Sequence, residues 1–97
     1  MNNTSLGLLT LHLHIPGCLS LKEKRSRLKP LLARLRREFN ISVAELDRQD
    51  AWQEAVLGCA LVSNDPDHTR RSLQSVVNWV EHNWPDVSLM SDIIELI

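Results

Sequence analysis

The stretch LGLLTLHLHIPGCLSLKEKRSRLKPLLARLRREF, Leu6 to Phe39, changes its apolar period from two to about 3.6 midway, and that change sets the fold. In its first part Leu9, Leu11, Leu13 and Ile15 alternate with Thr10, His12 and His14, the pattern of a half-buried strand over Leu6 to Ile15. Pro16-Gly17 ends that strand. Ser20, with Glu23 three residues on, reads as a capping box opening a helix. The apolar stripe of this helix is Leu21, Leu28, Leu31, Leu32, Leu35 and Phe39. Pro30 falls inside it, removes a backbone donor and crowds the carbonyl of Ser26, so a kink or break is expected there. Because the stripe holds its phase across the proline, one helix is the preferred reading.

Outward from this stretch, Ile41 to Leu46 reads as a short strand, Asp47 to Asp50 as a polar connection and Trp52 to Val62 as a longer strand of small and apolar residues. Asn64-Asp65-Pro66 opens a second helix, with Asp65 as cap and Pro66 in its first turn. Its buried stripe is Leu73, Val76, Val77, Val80 and Trp84. Trp84-Pro85-Asp86 stops the helix, and Val87 to Leu96 supplies a last strand. The order β-α-β-β-α-β, with right-handed crossovers, predicts an α+β, ferredoxin-like arrangement: a four-stranded antiparallel sheet with two helices on one face. All 97 residues fit one domain, residues 1–97. That arrangement serves many unrelated activities, so function has to come from the side chains.

Eight of the eleven Lys and Arg residues lie between Ser20 and Phe39. Residues 1–40 balance at +6 and residues 41–97 at −7, an asymmetry that the net charge of −1 conceals. At 100° per residue Lys22, Arg25, Lys29 and Arg36 fall within about 60° of one another on one flank of the apolar stripe. Arg27 and Arg34 lie on the other flank. Lys24 falls close to the apolar seam and is expected to carry its ammonium outward along its own methylenes. Glu23 and Glu38 are the only acids in the segment, so most of the bases have no helical ion-pair partner. The row Lys22, Arg25, Lys29 and Arg36, with Arg27 and Arg34 as secondary contributors, is therefore the candidate nucleic-acid-binding surface, suited to phosphates and indifferent to base identity. An acidic protein partner and a merely solvated helix face are the competing readings. The acidic remainder of the chain is also a candidate partner, through a head-to-tail or dimeric contact.

Other constellations carry less. His12 and His14 share one face of the first strand, but no third or fourth ligand accompanies them, so neither a metal nor a cofactor is expected. Cys18 precedes a helix N-terminus with basic residues nearby, which favours a thiolate, yet no motif assigns it a base. The turn Gly17 to Lys22 has free backbone donors for an anion. Asp47 and Asp50 beside Trp52 suit a hairpin turn better than acid–base chemistry. The strands offer no aromatic stacking platform apart from Trp52, and no G-x-x-G clamp is present, which argues against RNA bound across the sheet. Trp79 and Trp84 read as core or interface aromatics. No set of nucleophile, base and orienting group is visible, so no enzyme is expected. No run reaches the roughly 20 apolar residues of a membrane span, and MNNTSLGLL has no basic region or cleavage site of a secretory signal. With Cys59 inside an apolar run, both cysteines are expected to stay reduced, in the cytoplasm.

Several blocks carry a family resemblance: L-T-L-H-L-H-I-P-G at Leu9 to Gly17, S-L-K-E-K-R at Ser20 to Arg25, F-N-I-S-V-A-E-L-D at Phe39 to Asp47, Q-D-A-W-Q at Gln49 to Gln53, and L-G-C-A-L-V-S-N-D at Leu57 to Asp65. Together they resemble the bacterial YlxP-like family of unknown function across essentially the whole chain. The resemblance implies a small cytoplasmic ferredoxin-like domain. The neighbourhood of the family's genes, beside those for transcription elongation, translation initiation and ribosome maturation, implies work near the ribosome or its RNA. It brings no site residues with it. The chain departs from the family at Pro30, where a helix-compatible residue is usual, and at His12, where an acid is frequent.

The expectation is therefore a non-enzymatic RNA- or ribosome-associated factor whose first helix meets structured RNA. The alternatives are a protein-interaction or homodimerisation module using the open sheet face, and a small-ligand regulatory domain.

Overall fold

The computed structural model describes residues 3–46 and 50–97. Its elements are β1 (Ser5–His14), α1 (Leu21–Glu38), β2 (Ser42–Glu45), β3 (Glu54–Ser63), α2 (Pro66–Asn83) and β4 (Ser88–Leu96). The four strands form one sheet in the order β2-β3-β1-β4, every neighbouring pair antiparallel. This is the expected ferredoxin-like α+β arrangement. Each predicted strand is recovered to within two residues. The expected connection over Asp47 to Asp50 lies outside the described residues except for Asp50.

β1 forms the spine of the sheet, paired with β3 from Ser5↔Ser63 to His14↔Glu54 and with β4 on its other side. Its alternation has the expected consequence. Leu9, Leu11 and Leu13 point into the core, while Leu6, Leu8, Thr10, His12 and His14 line the opposite, open face. The register with β4 shifts between His12 and Leu13. Beneath the inner face pack Leu28, Leu31 and Leu35 of α1 and Leu73, Val76, Val77 and Val80 of α2, all buried.

Both helix starts follow from local chemistry. The Ser20 side chain accepts from the Glu23 amide at 3.0 Å, and Asp65 Oδ1 accepts from the Asp67 amide at 3.1 Å. α1 is one helix across Pro30, the preferred reading of the sequence, and no break occurs at the proline. Pro30 and Ser26 are both exposed, which leaves the freed carbonyl open to water. Trp84 is the C-cap of α2 and, only partly buried, packs against the core at the end of the inner stripe. It stacks on Trp79 with centroids 6.0 Å apart, and Trp79 meets Phe39 edge-on at 6.2 Å, so the three rings form a chain between the two helices. Gly7 is required where α2 crosses β1, since a Cβ there would lie 2.5 Å from Thr69 Cγ2. Next to that crossing the Thr69 hydroxyl is bonded to Ser5 Oγ at 3.0 Å and to Ser63 Oγ at 2.6 Å.

Candidate functional site

The basic residues of α1 divide into two sets. The first is engaged by the protein itself. Lys24 is 1% exposed, and its ammonium donates to the Ala51 carbonyl at 2.8 Å and lies 2.9 Å from Glu45 Oε2. The expectation that Lys24 reaches outward is thus overturned: acceptors from β2 and from the segment before β3 meet the ammonium where the helix seats on the sheet. Arg27 Nε and Nη2 hold the Asp86 carboxylate at 2.9 and 3.1 Å. Its guanidinium also donates to the carbonyls of Asp86 and Pro16, and Glu23 lies 3.5 Å away. The bidentate bond to Asp86 raises the Arg27 pKa further. Arg34 pairs with Glu38 at 3.4 Å and lies over the Trp79 ring, 5.5 Å from its centroid.

The second set faces solvent. Lys22, Arg25, Lys29, Arg36 and Arg37 are exposed, and none has an acidic partner among the described residues. Lys22, Arg25, Lys29 and Arg36 stand on the flank of α1 that turns toward edge strand β2. From Lys22 to Arg36 the row extends over about 21 Å of helix axis. Arg25, Lys29 and Arg36 rim a shallow groove with Leu28 and Leu32 as its floor and Glu45 at one end. Arg36 is fixed there by donating to the Val43 carbonyl at 2.9 Å, which also occupies an acceptor of β2. The groove thus offers fixed and flexible cations over an apolar floor. That arrangement can hold a row of anionic groups.

The expected partition of α1 into a main row and two secondary contributors coincides with a difference in pairing. Arg27 and Arg34, the secondary pair, are the ones that intramolecular acids hold. The acids responsible for Lys24 and Arg27, Glu45 and Asp86, come from the acidic residues 41–97, so part of the charge asymmetry is neutralised within one chain. The position of Lys24 on the apolar seam was the signal for its burial. No local pattern announces Asp86, 59 residues beyond Arg27.

The remaining candidates stay apart from this groove. His12 Nε2 lies 3.8 Å from Glu54 on the open face. Among the described residues no three side chains converge as metal ligands. Cys18 is buried and its thiol donates to the Ser20 carbonyl at 3.4 Å. Cys59 is also free, and burial pushes its thiol pKa up to about 12. Asp47 lies outside the described residues, so its relation to the exposed Asp50 is not assigned. No helix among the described residues is long and apolar enough to cross a membrane.

Residues 6–92 match the model of a family described as "Protein of unknown function (DUF503)". The chain is 40% identical over 68 residues to "Uncharacterized protein YlxP" of Bacillus subtilis (strain 168), a match spanning 70% of this chain and 73% of that one. Among solved structures, "De novo designed protein Foldit4" superposes with a TM-score of 0.56 over 97% of this chain and 96% of its own, at 12% identity. That likeness concerns the fold alone.

Proposed function

This chain belongs to the DUF503 family of proteins of unknown function, and from that premise and its charge geometry we propose that it is a non-catalytic, cytoplasmic RNA-binding factor acting at the ribosome or on its RNA. The observation that carries this reading is the row Lys22, Arg25, Lys29 and Arg36: four exposed cations on one flank of α1, without acidic partners among the described residues. Arg37, on the outer face of the same helix, adds to the field. A helix whose only role is solubility would be expected to spread its charges and pair them at i+4. Here the pairing is confined to Arg27 and Arg34, on the opposite flank.

RNA is favoured over an acidic protein because the row combines length, flexible side chains and few fixed acceptors. These features suit a phosphate backbone and do not by themselves read sequence. Binding across the sheet is disfavoured, since no strand carries a Lys or Arg.

Co-sedimentation with ribosomal particles from native lysate, at low and moderate salt, tests the proposal. Association with one subunit that weakens with salt is the expected result, lost when Lys22, Arg25, Lys29 and Arg36 are all changed to Glu. Protein remaining at the top of the gradient at both salts, together with no affinity of purified protein for ribosomal RNA fragments, overturns it.

A further inference from the structure

The open sheet face mixes apolar with polar residues, carries no Lys or Arg among the described residues, and is divided into a projecting half and a recessed half. On β1 and β4 it carries Leu6, Leu8 and Ile93, with Ile93 57% exposed. On β3 and β2 the residues at the same levels are small: Gly58, Ala60, Ser42 and Ala44, and these line a depression bounded by Leu8 and Leu46. Gly58 permits this shape, because a Cβ there would lie 2.6 Å from the Leu46 side chain that folds across it. Polar residues cluster at one end of the face, where His14 stands opposite Glu54 and beside Ser88, with Thr10, His12 and Ser91 along its middle and Glu95 beside Leu8 on the outer edge. Val62, 70% exposed, stands opposite Leu6 at the other end.

We propose that this face is the interface of a homodimer, two sheets packed face to face about a two-fold axis that runs parallel to the strands between β1 and β3. The register makes the face complementary to itself under that operation, which also lays Glu95 of each copy over Ser42 of the other, polar on polar at the rim. Rotation carries the recessed half onto the projecting half while keeping each end over its own kind. Leu8 then meets the second copy's Ala60, Leu6 meets its Val62, and Ile93 enters the depression over its Ala44. At the polar end His14 of each copy comes over Glu54 of the other. An axis perpendicular to the strands would instead lay the His14 and Glu54 end over Leu6 and Val62, stranding a carboxylate on apolar surface.

The dimensions suit a dimer at the small end of specific interfaces. With 10, 4, 10 and 9 residues in β1 to β4, at about 4.8 Å between strands and about 3.3 Å per residue, the footprint is roughly 520 Å² per partner, against roughly 800 Å² for a standard interface. Aligned packing of two twisted sheets needs such large-on-small interdigitation. Because both helices lie on the other side of the sheet, the basic rows remain outside, and the dimer stands or falls independently of RNA binding.

Sedimentation equilibrium or light scattering over a wide concentration range tests this with the purified chain. The expected mass is twice the 11.1 kDa of the chain. Ile93→Ala and Ala44→Ile should each raise the dissociation constant at least about tenfold, with circular dichroism confirming that both stay folded. The double variant, which exchanges the large and small partners, should recover part of the loss. A monomeric mass at every concentration overturns the proposal. So does a dimer indifferent to both single variants, which would place the contact elsewhere, or strictly additive losses in the double variant.

Discussion

The ammonium of Lys24 sits 2.9 Å from the carboxylate of Glu45, in the interior of the most basic segment of the chain. The Lys24 side chain is 2% exposed and that of Glu45 21%, so the two ends of the pair are solvated unequally. Lys24 therefore behaves as part of the joint between α1 and β2, and the charge it carries is withheld from the surface.

Removing the two partners should not cost the same. Glu45→Ala leaves a buried ammonium with the Ala51 carbonyl as its named acceptor, and is expected to destabilise by about 3–5 kcal/mol. Lys24→Met leaves a carboxylate that can rehydrate at its exposed edge and keeps an apolar stem in the seam, so about 1–3 kcal/mol is expected. Urea unfolding of both variants checks the order. Equal losses below about 0.5 kcal/mol would make this an ordinary surface pair.

Arg27 and Lys29 are two residues apart and should separate stability from binding. Arg27→Ala frees the Asp86 carboxylate and two carbonyls, loosening the joint between α1 and the α2–β4 turn, at about 1 kcal/mol. It should leave RNA affinity nearly unchanged. Lys29→Ala should do the reverse, lowering affinity with thermal unfolding unaltered. Equal effects of both variants on affinity would return Arg27 to the binding surface.

Four phosphate contacts also fix a salt dependence. The logarithm of the association constant for single-stranded RNA should fall with log salt at a slope of roughly −3, from about 0.7 per contact. Arg25→Ala should reduce that slope by about one contact's share. Filter binding from low to moderate salt reads both values, and a flat profile would deny phosphate contacts to the row.

The proportions of what was legible in the sequence follow from range. Leu9, Leu11 and Leu13, or Leu28, Leu31 and Leu35, declare their element and inner face through spacing alone, because strand and helix periods act between near neighbours. Ser20 and Asp65 declare helix starts because their partners lie two or three residues away. Lys24 was visible as a seam position, but its acceptors at Glu45 and Ala51 depend on how the sheet meets the helix. The continuity of α1 through Pro30 likewise depends on which side of the helix faces water. The bond from Arg27 to Asp86 had no local trace, and the recess around Ala44 and Gly58 exists only once β2 and β3 are in register.

Cys59 predicts an alkaline limit to stability. Its thiol ionises near 9.0 in the unfolded chain and at about 12 when buried. Below the lower value both states hold the proton and pH has no effect through this group. Between the two values only the folded state holds it, so the unfolded state is favoured as pH rises, by at most about 1.4 kcal/mol per unit. Unfolding free energy should therefore decline from pH 9 upward, and Cys59→Ala should flatten that decline whatever its own packing cost. The folded protein should also resist alkylation at Cys59 at neutral pH. An unchanged slope in the variant would assign the alkaline loss to other groups.

Pro30 provides the last prediction, because the helix tolerates it without needing it. Its ring occupies an exposed position on the side of α1 away from the core, and the segments before and after it pack in one continuous stripe. Pro30→Ala restores an amide that can bond the Ser26 carbonyl and removes the ring's steric conflict, worth up to about 3 kcal/mol in a helix interior. Against this, alanine loosens the unfolded chain by about 0.4–1 kcal/mol. The balance favours the variant by about 1–2 kcal/mol, read as a higher urea midpoint at unchanged m-value. RNA affinity should not fall, since Lys29 and Arg36 keep their phase on the same flank. A stabilised variant that binds RNA more weakly would show that the proline, by easing the helix locally, shapes the row itself.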